Sequence, residues 1–175
     1  MDEREHSDDE HAWYEDVVMP ALLASARTTY GMAMRRHLAD GGFDDVPPRG
    51  MAVIGGIARN GPCAQQDFAG FLDVSKQAAS QLIDTLVTRG YVRRALDPQD
   101  RRRMVVSLTP RGTEAAAASA AGLDRVDAGL AKLVTAEDLA TTRRVLGELV
   151  GIGRRARARA RAVRADGVSE PPAGR

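Results

Sequence analysis

Residues 75–112 read SKQAASQLIDTLVTRGYVRRALDPQDRRRMVVSLTPRG, and the changes of pattern within them decide the architecture. Ser75 carries an oxygen that can accept a backbone N–H at a helix start, which makes it the natural N-cap. Ala79, Leu82, Ile83 and Leu86 then recur at three- and four-residue steps and form one apolar face. Lys76, Gln77, Ser80 and Gln81 fall mostly away from that face. Gly90 stands where a left-handed residue closes a helix. Beyond it, Tyr91 and Val92 and then Met104, Val105, Val106 and Leu108 are strand-like. Between them lies DPQDRRR, in which Asp97 and Pro98 open a turn. Thr109 and Pro110 restart a helix as N-cap and first helical residue. A polar-edged helix, a hairpin with an arginine-rich tip and a following helix are the layout of a winged helix-turn-helix.

Charge adds chemistry to this layout. From Val74 to Arg111 there are eight Lys or Arg against three Asp, although the whole chain has a net charge of only +1. Arg93, Arg94, Arg101, Arg102 and Arg103 crowd one hairpin and repel one another unless an anion is present. A phosphate backbone supplies that anion, and a minor groove admits an arginine-tipped hairpin. Ser, Lys and Gln on a protruding first turn suit base edges and phosphates in a major groove. The helix by itself also reads as an ordinary amphipathic surface helix; the wing favours duplex DNA.

The stretch VSKQAASQLIDTLVTRGYVRRALDPQDRRRMVVSLTPRG closely resembles the MarR family of bacterial transcriptional regulators. DPQDRRR followed by LTPRG after such a helix is specific to that family, and weaker similarity covers roughly residues 12 to 165. The resemblance implies that Arg102, oriented by Asp100, enters the minor groove. It also implies that Lys76, Gln77, Ser80 and Gln81 face the major groove, with Ser75 at the start of the same DNA-binding recognition helix. Arg93, Arg94, Arg101 and Arg103 join Asp100 and Arg102 as wing residues. It further implies terminal helices that form a homodimer, an inverted-repeat operator and, most often, repression relieved by a small aromatic or lipophilic effector. Tyr30, Met34 and His37 of the first helix, with Met51 opposite, are candidates to line the effector pocket, simple core packing being the other reading of each. The segment TTYGMAMRRHLADGGFDDVPPRGMAVIGGIARNG departs from the usual family pattern, so no effector residues carry over directly.

Composition narrows the remaining classes. The 175 residues are one domain's worth, and 43% hydrophobic with 4% aromatic content points to closely packed, alanine-rich helices. No apolar run approaches the roughly 18 residues needed to cross a membrane, and the acidic start is unlike a secretory signal, so a cytoplasmic protein is expected. The single cysteine, Cys63, allows no internal disulfide and reads as a buried or inert thiol at a helix–helix turn rather than a redox sensor. His6, His11 and His37 make no pair at metal-ligand spacing. Ser75-Lys76 lacks a converging oxyanion site, and there is no nucleotide-binding fingerprint, so neither enzyme activity nor a cofactor is expected.

The fold class is therefore mainly α with a small β-hairpin wing, a winged helix-turn-helix between N- and C-terminal dimerisation helices. Residues 1–11 read as an acidic disordered leader and 12–46 as the first dimerisation region, with a helix over about 12–40 that Pro20 bends or divides. Residues 47–112 form the DNA-binding lobe, with helices over about 49–59 and 64–71, the latter turning Phe68, Phe71 and Leu72 inward. Residues 113–165 carry the C-terminal dimerisation helices and 166–175 a disordered tail. The stripes Leu123, Val126, Leu130, Leu133 and Leu139, Val145, Leu146, Leu149, Ile152 exceed what one small lobe can cover. A second copy of the chain is the economical partner, against a monomer whose helices fold back. RRARARARAVR near the end reads as a solvated helix end, an extra DNA contact or a partner of the acidic leader.

Overall fold

The computed structural model describes residues 12–166, so the acidic leader and the tail beyond Asp166 lie outside the described residues. Nine elements follow in the order α1 (Met19–Asp40), α2 (Gly50–Asn60), β1 (Cys63–Ala64), α3 (Asp67–Leu72), α4 (Lys76–Thr88), β2 (Val92–Leu96), β3 (Met104–Leu108), α5 (Pro110–Leu130) and α6 (Ala136–Asp166). The helices and the hairpin bear out the mainly α winged helix-turn-helix. The chain divides after Asp127 into two compact units, and Ala115 and Ser119 of α5 are buried within the first.

Local chemistry sets most boundaries. Ser75 Oγ accepts the Ala78 N–H at 3.1 Å and caps α4, and Gly90 follows its end at φ +74°. Thr109 Oγ1 accepts the Gly112 N–H at 3.1 Å and starts α5. Pro20 neither bends nor divides α1. It sits in the first turn, where its missing N–H would have had no helical partner, and the helix starts at Met19 instead of about residue 12. In the second unit Thr135 and Asp138 form a reciprocal cap: the Asp138 N–H donates to Thr135 Oγ1 at 3.1 Å and the Thr135 N–H to Asp138 Oδ2 at 3.0 Å. The Thr135 hydroxyl, donating to Asp138 Oδ2 at 2.6 Å, and the Thr135 N–H together hold the Asp138 carboxyl below its ordinary range.

The core of the first unit gathers Val53, Ile54 and Ile57 of α2, Phe68 of α3, Ala79, Ile83 and Leu86 of α4, and Tyr91, Val92 and Val106 of the sheet. Each large side chain buried here contributes about 1.5–3 kcal/mol, which sets the roll of α4 and keeps its polar edge outward. The sheet contains a strand that periodicity does not reveal. Its order is β1-β3-β2, with β1 antiparallel to β3 through Cys63↔Val106 and Ala64↔Val105. The segment expected to be helical from 64 thus begins as a strand, and the helix starts only at Asp67. Phe71, expected inside, is 58% exposed, whereas Phe68 and Leu72 turn inward. Among the described residues no helix is long and apolar enough to cross a membrane.

Candidate nucleic-acid interface

Helix α4 presents its polar edge because its apolar stripe is committed to the core. Lys76, Gln77 and Gln81 are exposed and Ser80 is half-buried. Gln65, which sequence reasoning missed, bridges two elements here. Its N–H donates to the Met104 carbonyl at the base of β3 (2.9 Å), and its Nε2 donates to Ser80 Oγ (3.4 Å). It lies just after a two-residue strand, where no periodic signal marks it.

The wing is an antiparallel hairpin in the register Val92↔Leu108 to Leu96↔Met104. Its tip is shaped by two aspartates acting on the backbone. Asp97 Oδ1 accepts the Gln99 N–H at 2.9 Å, and Asp100 Oδ1 accepts the Arg102 N–H at 3.0 Å. Asp100 therefore orients Arg102 through the main chain rather than by bonding its guanidinium. Arg101, Arg102 and Arg103 all project from this turn as exposed side chains. Arg93 is exposed as well, its Nε donating to Ser107 Oγ of the paired strand at 3.1 Å.

Arg94 departs from the expected set. Strand alternation turns it to the opposite face of β2, where its Nη1 forms an ion pair with Asp84 of α4. Its Nε and Nη2 are buried with no hydrogen-bond partner among the described residues. This arginine ties the wing to α4, on the face of β2 opposite the exposed Arg93. Removing Asp84 leaves the guanidinium without its counter-charge. Asp84→Ala is expected to cost about 1–2 kcal/mol, the loss being moderated because Asp84 is itself more than half exposed. Thermal melts should show a decrease of roughly 3–6 °C for Asp84→Ala and almost none for Arg94→Met. Equal melting temperatures for wild type and Asp84→Ala would show the pair to be incidental.

Wing and helix meet in an open cleft of about 360 Å³ lined by Gln65, Gln66, Lys76, Ser80, Arg102 and Arg103, among others. Three cations and three polar side chains from three segments thus converge on one solvent-facing groove. Such an arrangement attracts a polyanion and offers donors to it. The groups nominated for an effector pocket do not converge to the same degree. Met34 and Met51 line one hollow of about 410 Å³, together with Leu38, Phe43, Arg35 and Arg49. Tyr30 and His37 are not part of its lining. The Tyr30 hydroxyl donates to Asp127, and His37 Nδ1 lies 3.0 Å from the Ala33 carbonyl one turn back. Cys63 is half-buried on β1 rather than at a helix–helix turn, and burial together with the Asp67 charge pushes its thiol pKa up. That environment suits an inert thiol. Among the described residues no group of three or more His, Cys, Asp or Glu could hold a metal ion.

A capped helix presented by a three-helix lobe and flanked by an arginine-tipped hairpin defines a winged helix-turn-helix protein. Residues 44–103 match the model of the MarR family. It is 30% identical over 71 residues to the uncharacterized HTH-type transcriptional regulator YdcH of Bacillus subtilis (strain 168), a match covering 41% of this chain and 48% of that one. The chain thus spans about half the length of this curated relative. Solved structures are similar over more of the chain. The crystal structure of MarR superposes with a TM-score of 0.65 at 23% identity, covering 82% of this chain and 96% of that one. Streptococcus pneumoniae FabT in complex with DNA gives 0.67 at 18% identity, covering 78% and 95%. NadR in complex with 4-hydroxyphenylacetate gives 0.59 at 21% identity, covering 75% and 92%. At these identities the likenesses show the fold.

Proposed function

We propose that this chain is a sequence-specific, duplex-DNA-binding transcriptional regulator that works as a homodimer on an inverted-repeat operator, most simply as a ligand-relieved repressor in the cytoplasm. The observation that carries this reading is the cleft in which Lys76 and Ser80 of α4 meet Arg102 and Arg103 of the wing. The helix edge reads bases in the major groove, while the arginines of the tip enter the adjoining minor groove. FabT, solved on DNA, supports the assignment of this lobe to duplex binding.

The homodimer is supported by apolar surface in both units. Val18, Met19 and Met32 are exposed in the first, and Leu133 (81% exposed), Val145, Leu149 and Ile152 in the second. A two-fold pairing covers such surface and presents two recognition helices to half-sites one helical turn apart. Ligand control is supported by the hollow beside Met34 and Met51 and by NadR, solved with 4-hydroxyphenylacetate. An occupant that fits one spacing of the two lobes shifts the population toward it and away from the half-site spacing.

Selection from a random duplex library followed by titration against salt tests this reading. The expected outcome is a palindromic site with half-sites about 10 base pairs apart, bound with a log–log salt slope near −5 from about six phosphate contacts. Salt-dependent binding without any preferred sequence would instead favour an architectural or RNA-binding protein. Absence of salt-sensitive duplex binding would favour a protein-interaction module.

A further inference from the structure

Asp45, in the loop between α1 and α2, bonds to three points around the far end of the recognition helix. Its carbonyl accepts a hydrogen bond from Arg89 Nη1, and Arg89 is the C-cap of α4. Its carboxylate accepts one from the Tyr91 hydroxyl. The same oxygen lies 3.0 Å from Arg111 Nη2 in the first turn of α5. Arg111 also stacks on the Tyr91 ring, its guanidinium carbon 4.7 Å from the ring centroid, and donates to the Tyr91 hydroxyl at 3.3 Å. The Tyr91 hydrogen bond and the Arg111 and Arg89 charges hold the Asp45 carboxyl below its ordinary range despite its partial burial. It is therefore ionised wherever DNA binding would be measured.

An exposed Asp–Arg pair contributes little by itself. This one is different because its acceptor also holds Tyr91, which is 0% exposed and connects α4 to β2 through Gly90. At its other end, α4 is fixed by the Ser75 cap and by Gln65 on Ser80. The loop residues on either side of Asp45, Asp44 and Val46, line the hollow shared with Met34 and Met51. Displacing the loop therefore displaces the anchor of the recognition helix.

We infer that Asp45 is a positioning residue for DNA reading: it anchors the C-terminal end of α4 to the α1–α2 loop and so sets where Gln77, Ser80 and Gln81 stand relative to the wing. The inference rests on the DNA-reading function proposed above. Major-groove hydrogen bonds demand this placement, whereas phosphate attraction tolerates a shifted helix. Loss of the anchor therefore lowers specificity more than it lowers general DNA affinity.

The experiment measures affinity for the selected site and for an unrelated duplex of equal length, in wild type, Asp45→Ala, Asp45→Asn and Tyr91→Phe, with thermal melts alongside. Asp45→Ala is expected to weaken the selected site about tenfold, the size of one lost base contact, while changing the unrelated duplex less than about twofold. Asp45→Asn keeps an acceptor for Tyr91 and is expected to restore most of the preference. If Asp45→Ala does not fold, Tyr91→Phe, which removes only the hydroxyl, carries the same comparison. Equal losses on both duplexes would make Asp45 a structural support only, and an unchanged preference would overturn the inference outright. A wild-type chain with no preferred duplex sinks the regulator reading and this inference together, so the two failures are told apart.

Discussion

Replacing Arg102 with alanine is expected to weaken binding to the selected operator by roughly 30- to 25,000-fold. The estimate takes about 1–3 kcal/mol for each lost arginine contact and counts one from each protomer of a dimer. Arg102 is exposed at the hairpin tip, its N–H is held by Asp100, and it lines the cleft beside Lys76 and Ser80. The backbone bond orders the turn without neutralising the guanidinium, so the side chain keeps its full charge for the groove. Ser80→Ala or Gln77→Ala should instead relax sequence preference by about 1–3 kcal/mol per base contact, leaving affinity for unrelated duplex nearly intact. Electrophoretic or anisotropy titrations on the two duplexes separate the outcomes. Wild-type affinity of Arg102→Ala for every duplex would rule out the wing as a DNA contact.

Gly112→Ala should be the most destabilising single-methyl change in the winged helix-turn-helix lobe. A Cβ built at residue 112 would lie 2.0 Å from the Tyr91 carbonyl oxygen and 3.2 Å from Leu108 Cδ2. The oxygen cannot swing aside, because it accepts the Thr109 N–H at 3.1 Å and belongs to the residue that enters β2. Relief requires moving the first turn of α5 away from the sheet, which opens the core around the buried Tyr91 and Val106. Overpacking against immobile backbone costs about 3 kcal/mol or more, a decrease in Tm of roughly 6–12 °C for a chain of this size. A melt within about 2 °C of wild type would mean that α5 does not approach the sheet as closely as described. Because Arg111 is adjacent, Gly112→Ala also disturbs the Asp45 anchor, and this variant cannot stand in for the Asp45 comparison.

The parts legible in the sequence share one property: their causes lie within a few residues. Ser75 caps α4 three residues away, Thr109 caps α5 likewise, and Asp97 and Asp100 bend a turn two residues long. Strand β1 was not legible, because two residues hold no periodicity and its pairing with Val105 and Val106 spans some forty positions. The inward assignment of Phe71 failed because α3 has only six residues, too short for spacing alone to define a buried side. Arg94 read as one of five equivalent arginines. Only the pairing of β2 shows that alternation sends it to Asp84 while Arg93 stays outside.

Taken alone, the chain's residues determined the element types from Ser75 to Gly112, the surplus of positive charge in the wing and the family resemblance, because caps, periods and charge counts are local quantities. Tertiary structure decided which of those charges remain available to a polyanion. It brought Gln65 to Ser80, withdrew Arg94 to Asp84 and set Asp45 against Arg89, Tyr91 and Arg111. Those contacts join residues 10 to 66 positions apart, and only burial of the shared apolar core brings such distant groups within hydrogen-bonding range.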